Sequence, residues 1–441
     1  MTTPVQTGAA RAWIVALCWL TVMFEGFDIV ALGATIPILT HPELGHMDLT
    51  VANMTFVSTV SLVGVGVGAA LIGPIADRFG RRLPLLACVA LFSVFTLIFP
   101  LMPNWELMGL VRFVAGLGLG GCMPVAVSIM QESAPQGRRA HASTVTMTGY
   151  HAGAVLASLG ALAVHTDWHL LFYAGGALGL LSLPFMAWKL PETHPAAARA
   201  GAAAAHTPAY RLRDLFTDGR ARITVGLWTG AFMGLLLVYG LNTWLPKLME
   251  KAGYNISSSL VMLFVLNVGA IIGLLVGGRV ADSRGVKGTI LVWFGAAAVL
   301  LALLSIRISS ELGLNAVILV TGVFVFSAQV LVYGFVGYLY PRDMIATGMG
   351  FTSGVGRLGA IVGPWVTGSL VNAGLGYPFG FYFFALVAVL GFIAVLFIPK
   401  PRANTAAALH AEVEAQARGE APAHASAQPE GAGPEARAGQ P

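Results

Sequence analysis

AWIVALCWLTVMFEGFDIVALGATIPI, residues 12–38, is long enough to cross a bilayer and carries two acids, Glu25 and Asp28, in its interior. A helix needs about twenty apolar residues to span hydrocarbon, at about 1.5 Å of rise per residue. Runs of this kind recur at 52–75, 83–102, 105–130, 141–164 and 169–190, then at 222–246, 258–281, 288–307, 313–339, 345–371 and 379–398. Twelve such runs predict an all-α membrane protein, because in lipid only helices and closed barrels satisfy their own backbones. An ionisable side chain in hydrocarbon is costly and seldom kept without a use. The two acids therefore point to movement of a solute.

Composition narrows the class further. The 441 residues are 56% hydrophobic and only 10% charged, against about 25% charged in soluble domains. The net charge of +5 is spread between apolar runs rather than gathered on one face, which argues against a nucleic-acid partner. Cys18, Cys88 and Cys122 all fall inside apolar runs and none has a C-x-x-C partner, so they read as small packing residues, with no metal and no cofactor. GLGLGG at 116–121 is no phosphate loop, since no Gly-Lys-Ser/Thr follows it. The first run lacks a small-residue cleavage site after it and reads as an anchor that stays.

Basic residues sort by side. Arg11, Arg78, Arg81, Arg82, Arg138, Arg139, Lys189, Arg211, Arg213, Arg220, Arg222, Arg279, Arg284, Lys287, Arg342, Lys400 and Arg402 alternate with loops that hold only Lys247, Lys251 and Arg307. The positive-inside rule then puts both termini in the cytoplasm of a cell with the chain in its inner (plasma) membrane, in contact with lipid. The expected organisation is a six-helix bundle at 1–190, a cytoplasmic loop at 191–221, a second bundle at 222–398 and a disordered tail at 399–441 that is too poor in apolar bulk to bury a core.

The halves repeat. GPIADRFGRR at 73–82 is echoed by GGRVADSRG at 277–285, with Asp282 lying 205 positions after Asp77. Pro341 follows Pro135, and Arg357 follows His151, each by 206. Six duplicated spans are the plan of transporters whose halves rock about a midplane site.

On these residues the chain resembles the major facilitator superfamily. The loop after the second span carries Asp77, Arg78, Gly80, Arg81 and Arg82, and the fourth span carries Arg112, Gly116 and Gly120 as Arg-x-x-x-Gly-x-x-x-Gly. Within it, the chain is similar to the aromatic acid:proton symporter family through Glu25-Gly26-Phe27-Asp28, RFVAGLGLGGCMP at 112–124, TWLPKLMEKAG at 243–253 and ATGMGFTSGVGRLGAIVG at 346–363. The first acid is Glu where that family usually has Asp, and Ile345 stands where members often place an Arg. The resemblance implies proton-coupled import of a benzoate-like acid by alternating access.

Residue chemistry supplies candidates. Glu25 and Asp28, three apart on a helix, share a face about 20–24 Å from residue 12. Desolvation and mutual repulsion both favour a protonated form there. The alternative is a structural ion pair. Arg112 cannot shed its proton; it pairs with one of these acids or holds a substrate carboxylate. Arg357, near the middle of its span, offers a bidentate fork for that carboxylate, unless it bonds neighbouring carbonyls instead. His151 joins the proton path or is a packing residue. Trp244, Tyr150, Tyr239, Tyr333, Phe24, Phe27 and Phe351 are candidates for holding a ring, and Asn242 for a polar contact to the substrate. Asp77, Arg78, Arg81 and Arg82, with Asp282 and Arg284 as a reduced copy, read as a breakable gate on the cytoplasmic side. Glycines at 64, 66 and 68 and at 116, 118 and 120 let helices approach and slide.

The expected partners are a small aromatic acid and protons, with the chain a monomer. A proton-driven exporter of amphipathic compounds and a non-transporting sensor on a transporter scaffold are the alternatives. No nucleophile–base pair or metal-ligand cluster suggests an enzyme.

Overall fold

The computed structural model describes residues 8–41, 43–44, 49–133, 139–164, 167–192, 212–217, 219–340 and 344–399. Among these the chain is helical, without strands. Six helices come first: α1 Gly8–Leu39, α2 Val51–Phe79, α3 Arg82–Ile98, α4 Trp105–Ser133, α5 Arg139–Val164 and α6 Trp168–Lys189. Six more follow: α7 Ala221–Lys251, α8 Ile256–Arg284, α9 Val286–Leu303, α10 Glu311–Leu339, α11 Ile345–Asn372 and α12 Phe379–Phe397. Most of the loop at 191–221 and nearly all of the tail at 399–441 lie outside the described residues.

Local chemistry sets the helix ends. Thr50 and Asn53 form a reciprocal capping box at the start of α2, with Thr50 N–H donating to Asn53 Oδ1 at 2.9 Å and Asn53 N–H to Thr50 Oγ1 at 3.2 Å. Asn255 caps α8 by accepting from Ser258 N at 2.7 Å. α2 outruns the apolar stretch 52–75 and continues to Phe79, because its stop is Gly80, at φ 89°, and not the last apolar residue. Gly285, at φ 88°, ends α8 in the same way. The two glycines are 205 positions apart, the offset that separates Asp77 from Asp282.

The repeat is also a packing pattern. α1 packs on α5, α2 on α4 and α3 on α6; α7 packs on α11, α8 on α10 and α9 on α12. Closest approach uses matching glycines: a Cβ at Gly64 would strike the Phe113 carbonyl of α4, and one at Gly269 the Leu319 carbonyl of α10. Between the halves, α5 meets α8 and α2 meets α11, again related by six helices, and α1 lies along α7. These are two pseudo-symmetric six-helix sets in the major facilitator arrangement.

Eleven of the helices are long and apolar enough to cross a membrane. α11 has the length, at 28 residues, but is diluted by Gly, Ser and Thr, and it lies against α7 and α2. Leu110, Leu181, Phe185, Val299 and Leu386 point outward, each more than half exposed. An apolar belt of that kind is a lipid-facing surface.

Lys189 and Lys287 sit where helix ends meet at one end of the bundle, while Lys247 and Lys251 close α7 at the other. Lys189, ending α6, lies over the Trp13 ring near the start of α1, and Lys287, starting α9, donates to the Ile398 carbonyl just past α12. At the opposite end the halves are tightly joined. A Cβ at Gly33 of α1 would reach Asn242 and Thr243 of α7, and one at Gly368 of α11 would strike Thr55 of α2 and Trp244 of α7.

Candidate functional site

The two acids of α1 are in different surroundings. Asp28 Oδ2 lies 2.8 Å from Arg112 Nη1 of α4, and both side chains are buried. Thr96 Oγ1 of α3 donates to Asp28 Oδ1 at 2.7 Å, and Arg112 Nη2 donates to the Asp28 carbonyl at 3.3 Å. The guanidinium carbon sits 5.5 Å from the Phe99 ring centre and 5.9 Å from that of Phe172 on α6, within range for cation–π attraction. Of the two partners the sequence allowed for Arg112, the structure selects Asp28. The expected repulsion between the two acids does not arise as drawn, because Asp28 is already neutralised by Arg112.

Glu25 falls near the middle of α1 and is fully buried. No side-chain donor reaches either of its oxygens among the described residues. The positive charge that acts on it is Arg357, from the other half of the molecule. Next to Glu25, Gly26 lets α1 lie directly on the Tyr150 backbone of α5; any side chain there would clash.

Arg357, in the middle of α11, is half-buried. Its Nη1 donates to Tyr239 Oη of α7 at 3.4 Å. Tyr150, Tyr239, Tyr333 and Glu25 all lie within its electrostatic reach. The Tyr150 and Tyr239 ring centres are 6.4 Å apart, and the Tyr333 hydroxyl sits against Gly356, the residue before Arg357. A half-buried cation bonded to one phenol, with two more phenols near it, is suited to holding an anion.

A second polar chain joins the halves one turn away. His151 Nδ1 of α5 is 3.2 Å from Asn267 Oδ1 of α8. Asn267 Nδ2 donates to Asn242 Oδ1 of α7 at 2.9 Å and to the Leu263 carbonyl at 3.1 Å. Because the amide nitrogen is committed to two acceptors, Oδ1 accepts and the hydrogen sits on Nδ1 of His151. The imidazole also stands edge-on to Phe326, with centres 4.9 Å apart.

Other candidates lie apart. Phe27 packs on Gly175 of α6. Phe351 is 37% exposed and tilts against Trp228 of α7. Trp244 is fully buried at the closed end beside Gly368. Phe24 is buried in the apolar core. The side chains of Asp77 and Arg78 lie outside the described residues. Arg81 and Arg82 donate their backbone N–H groups to Glu192, at 2.8 and 3.2 Å, and the Arg82 side chain reaches the Ala187 carbonyl at the end of α6. Asp282 and Arg284 are exposed at the end of α8. Cys18, Cys88 and Cys122 are buried and free.

Thr96, Asn267 and Glu192 had no assigned role in the sequence. Asn267 carries the same signal as Asn242, a lone amide in an apolar run; Thr96 and Glu192 become visible only once the fold brings distant segments together. Among the described residues no group of three or more His, Cys, Asp or Glu could hold a metal.

Comparison with known proteins agrees with this architecture. The Major Facilitator Superfamily model matches residues 18–364. The benzoate transport protein of Acinetobacter baylyi is 31% identical, covering 87% of this chain and 89% of its own. The gentisate transporter of Corynebacterium glutamicum is 30% identical, covering 87% of each. A crystal structure of a D-xylose-proton symporter superposes with a TM-score of 0.73 at 16% identity, over 89% of this chain and 98% of that one.

Proposed function

The chain belongs to the major facilitator superfamily, a family of membrane transporters and not enzymes, and on that premise we propose that it imports a benzoate-like aromatic carboxylate together with protons, by alternating access. The observation that carries this is Arg357, a half-buried cation at mid-helix, bonded to Tyr239 and surrounded by Tyr150 and Tyr333. A carboxylate leaving water needs a fixed positive partner, and the phenols offer ring faces and hydroxyls to an aromatic acid. Relatives named for benzoate and gentisate support the same substrate class.

Proton coupling uses the α1 acids, with Arg112 pairing one of them. Import of an anion against a negative interior costs about 2.3 kcal/mol per charge per 100 mV. Uptake of one anion with one proton moves no net charge, so the pH gradient drives it. The basic end faces the cytoplasm, with both termini there, in the plasma membrane. The end of α2 and its turn into α3, with Asp77 and the neighbouring arginines, close that end when the transporter faces outward. The halves 1–190 and 222–398 rock against each other, and one chain suffices.

The test is uptake of labelled benzoate, 4-hydroxybenzoate and gentisate by cells producing wild type or Arg357→Ala. Concentrative uptake in wild type and its loss in the variant are expected. Unchanged affinity in Arg357→Ala overturns the assignment of the carboxylate contact, and efflux without uptake in wild type overturns the direction.

A further inference from the structure

Gln329 stands in FVFSAQVLVYGF, 324–335 of α10, a stretch with no charge and a single amide. It is 3% exposed, and neither its Oε1 nor its Nε2 has a hydrogen-bond partner among the described residues. Thr321 and Ser327 of the same helix bond back to carbonyls of the preceding turn; Gln329 does not. The Tyr333 hydroxyl, one turn on, lies near the amide but outside hydrogen-bonding geometry. Buried polar side-chain atoms in native proteins are mostly bonded, so an amide with both ends unbonded calls for a partner that arrives.

Contacts fix where that amide is. Its Oε1 lies on Gly234 of α7, so closely that any side chain at 234 would clash. Gly234 falls between Ala231 and Leu235, and these two touch Gly356 of α11, at 3.4 and 3.1 Å from the position of a Cβ there. The Tyr333 hydroxyl meets the same position at 3.0 Å. Gln329 is therefore level with Gly356, within about one turn, or 5.4 Å, of Arg357 in depth. Tyr239, which Arg357 bonds at 3.4 Å, is five residues beyond Gly234 on α7.

We propose that Gln329 is a specificity residue that reads a hydroxyl on the ring of the bound acid, so that the protein favours a hydroxybenzoate over benzoate; this rests on the carboxylate role given to Arg357 above. The amide offers one acceptor and one N–H donor side by side, and a phenolic hydroxyl offers a donor and an acceptor in return. A second carboxylate only accepts, and a bare ring edge answers neither amide atom. With the carboxylate on Arg357, the ring lies among the phenols and a hydroxyl on it meets Gln329. Benzoate in the same place leaves the amide unbonded and cut off from water, a penalty that a hydroxylated acid avoids.

Purified wild type, Gln329→Met and Arg357→Ala are titrated calorimetrically with benzoate, 3-hydroxybenzoate and 4-hydroxybenzoate, all present as carboxylates with neutral hydroxyls. Wild type is expected to bind at least one hydroxybenzoate about five- to 150-fold more tightly than benzoate, the ratio that one unbonded buried polar group corresponds to. Gln329→Met keeps the side-chain length and removes both polar atoms. It should bring that hydroxybenzoate down to the strength of benzoate and leave benzoate at its wild-type strength or better. Arg357→Ala should weaken all three acids alike. Should Gln329→Met fail to fold, Gln329→Leu is expected to lose the preference in the same way. Benzoate bound by wild type as tightly as both hydroxybenzoates, a preference retained in the folded Gln329 variant, or an equal loss of all three acids in it, overturns the hydroxyl role and leaves the carboxylate site standing. Absence of binding of all three by folded wild type, or unchanged binding in Arg357→Ala, overturns the carboxylate site and the hydroxyl role with it.

Discussion

Arg112 of α4 and Asp28 of α1 meet at 2.8 Å with neither side chain open to solvent, and Thr96 of α3 takes the other carboxylate oxygen at 2.7 Å. Three helices of the first half, α1, α3 and α4, are thereby tied together. Arg357, in the second half, has no acid in direct contact among the described residues and donates to a phenol instead. The first half therefore contributes a buried arginine closed by an internal acid, and the second a half-buried arginine left available.

The closed pair predicts a stability defect. Asp28→Asn leaves the Arg112 charge buried and unmatched, which costs about 3–5 kcal/mol. Thermal unfolding in detergent should show a strongly lowered midpoint. The Asp28→Asn, Arg112→Gln double variant removes both charges and should recover a substantial part of the loss. A double variant no more stable than Asp28→Asn alone would show that the ion pair is not what the site contributes.

The available arginine predicts graded effects on binding. Arg357→Ala removes the charged partner of the carboxylate and should weaken benzoate binding by about 2–5 kcal/mol, at least thirtyfold. Tyr239→Phe removes only the hydroxyl that accepts from Arg357 and should cost about 0.5–1.5 kcal/mol. Calorimetric titration separates the two. Equal losses would mean that Tyr239 touches the ligand itself rather than orienting Arg357.

The amide chain between the halves predicts a third outcome. Asn267→Ala leaves the Nδ1–H of His151 and the side-chain Oδ1 of Asn242 without their partner, and unmatched buried polar groups cost about 1–3 kcal/mol. The unfolding midpoint should fall, while Asn267→Gln retains part of the bonding. If Asn267→Ala leaves both midpoint and transport rate unchanged, the chain is incidental to the contact between α5 and α8.

Much of this architecture is written in hydropathy. Every expected run overlaps an observed helix, because about twenty apolar residues have few other stable forms in a membrane. Ends were less legible: α2 runs on to Phe79 because Gly80, not polarity, stops it. Depth was legible for Arg357, expected near the middle of its span, and for its repeat mate His151; both lie at mid-helix. Pairing was not. The matching offsets of His151 and Arg357 suggest equivalent neighbours, yet Arg357 bonds Tyr239 within its own half while His151 crosses to Asn267. Phe27 and Phe351 sit at plausible depths but face Gly175 and Trp228. Which side of a helix looks inward is decided by its packing partners, and one chain's periodicity does not name them.

The end opposite the basic residues predicts a final outcome, about movement. Gly368 of α11 lies so close to Thr55 of α2 and Trp244 of α7 that any side chain would clash. Thr55 is only 6% exposed. Opening this end must separate α2 from α11, so a bulky residue at 368 should favour the open form. Overpacking costs about 1–3 kcal/mol, which corresponds to about five- to 150-fold in the ratio of open to closed forms. With Cys18, Cys88 and Cys122 replaced, Thr55→Cys should react slowly with a membrane-impermeant maleimide, and adding Gly368→Leu should accelerate it by a factor in that range. Equal rates would mean that the contact between α2 and α11 is not the barrier at this end, and that closure there depends on the approach of Gly33 to Asn242 instead.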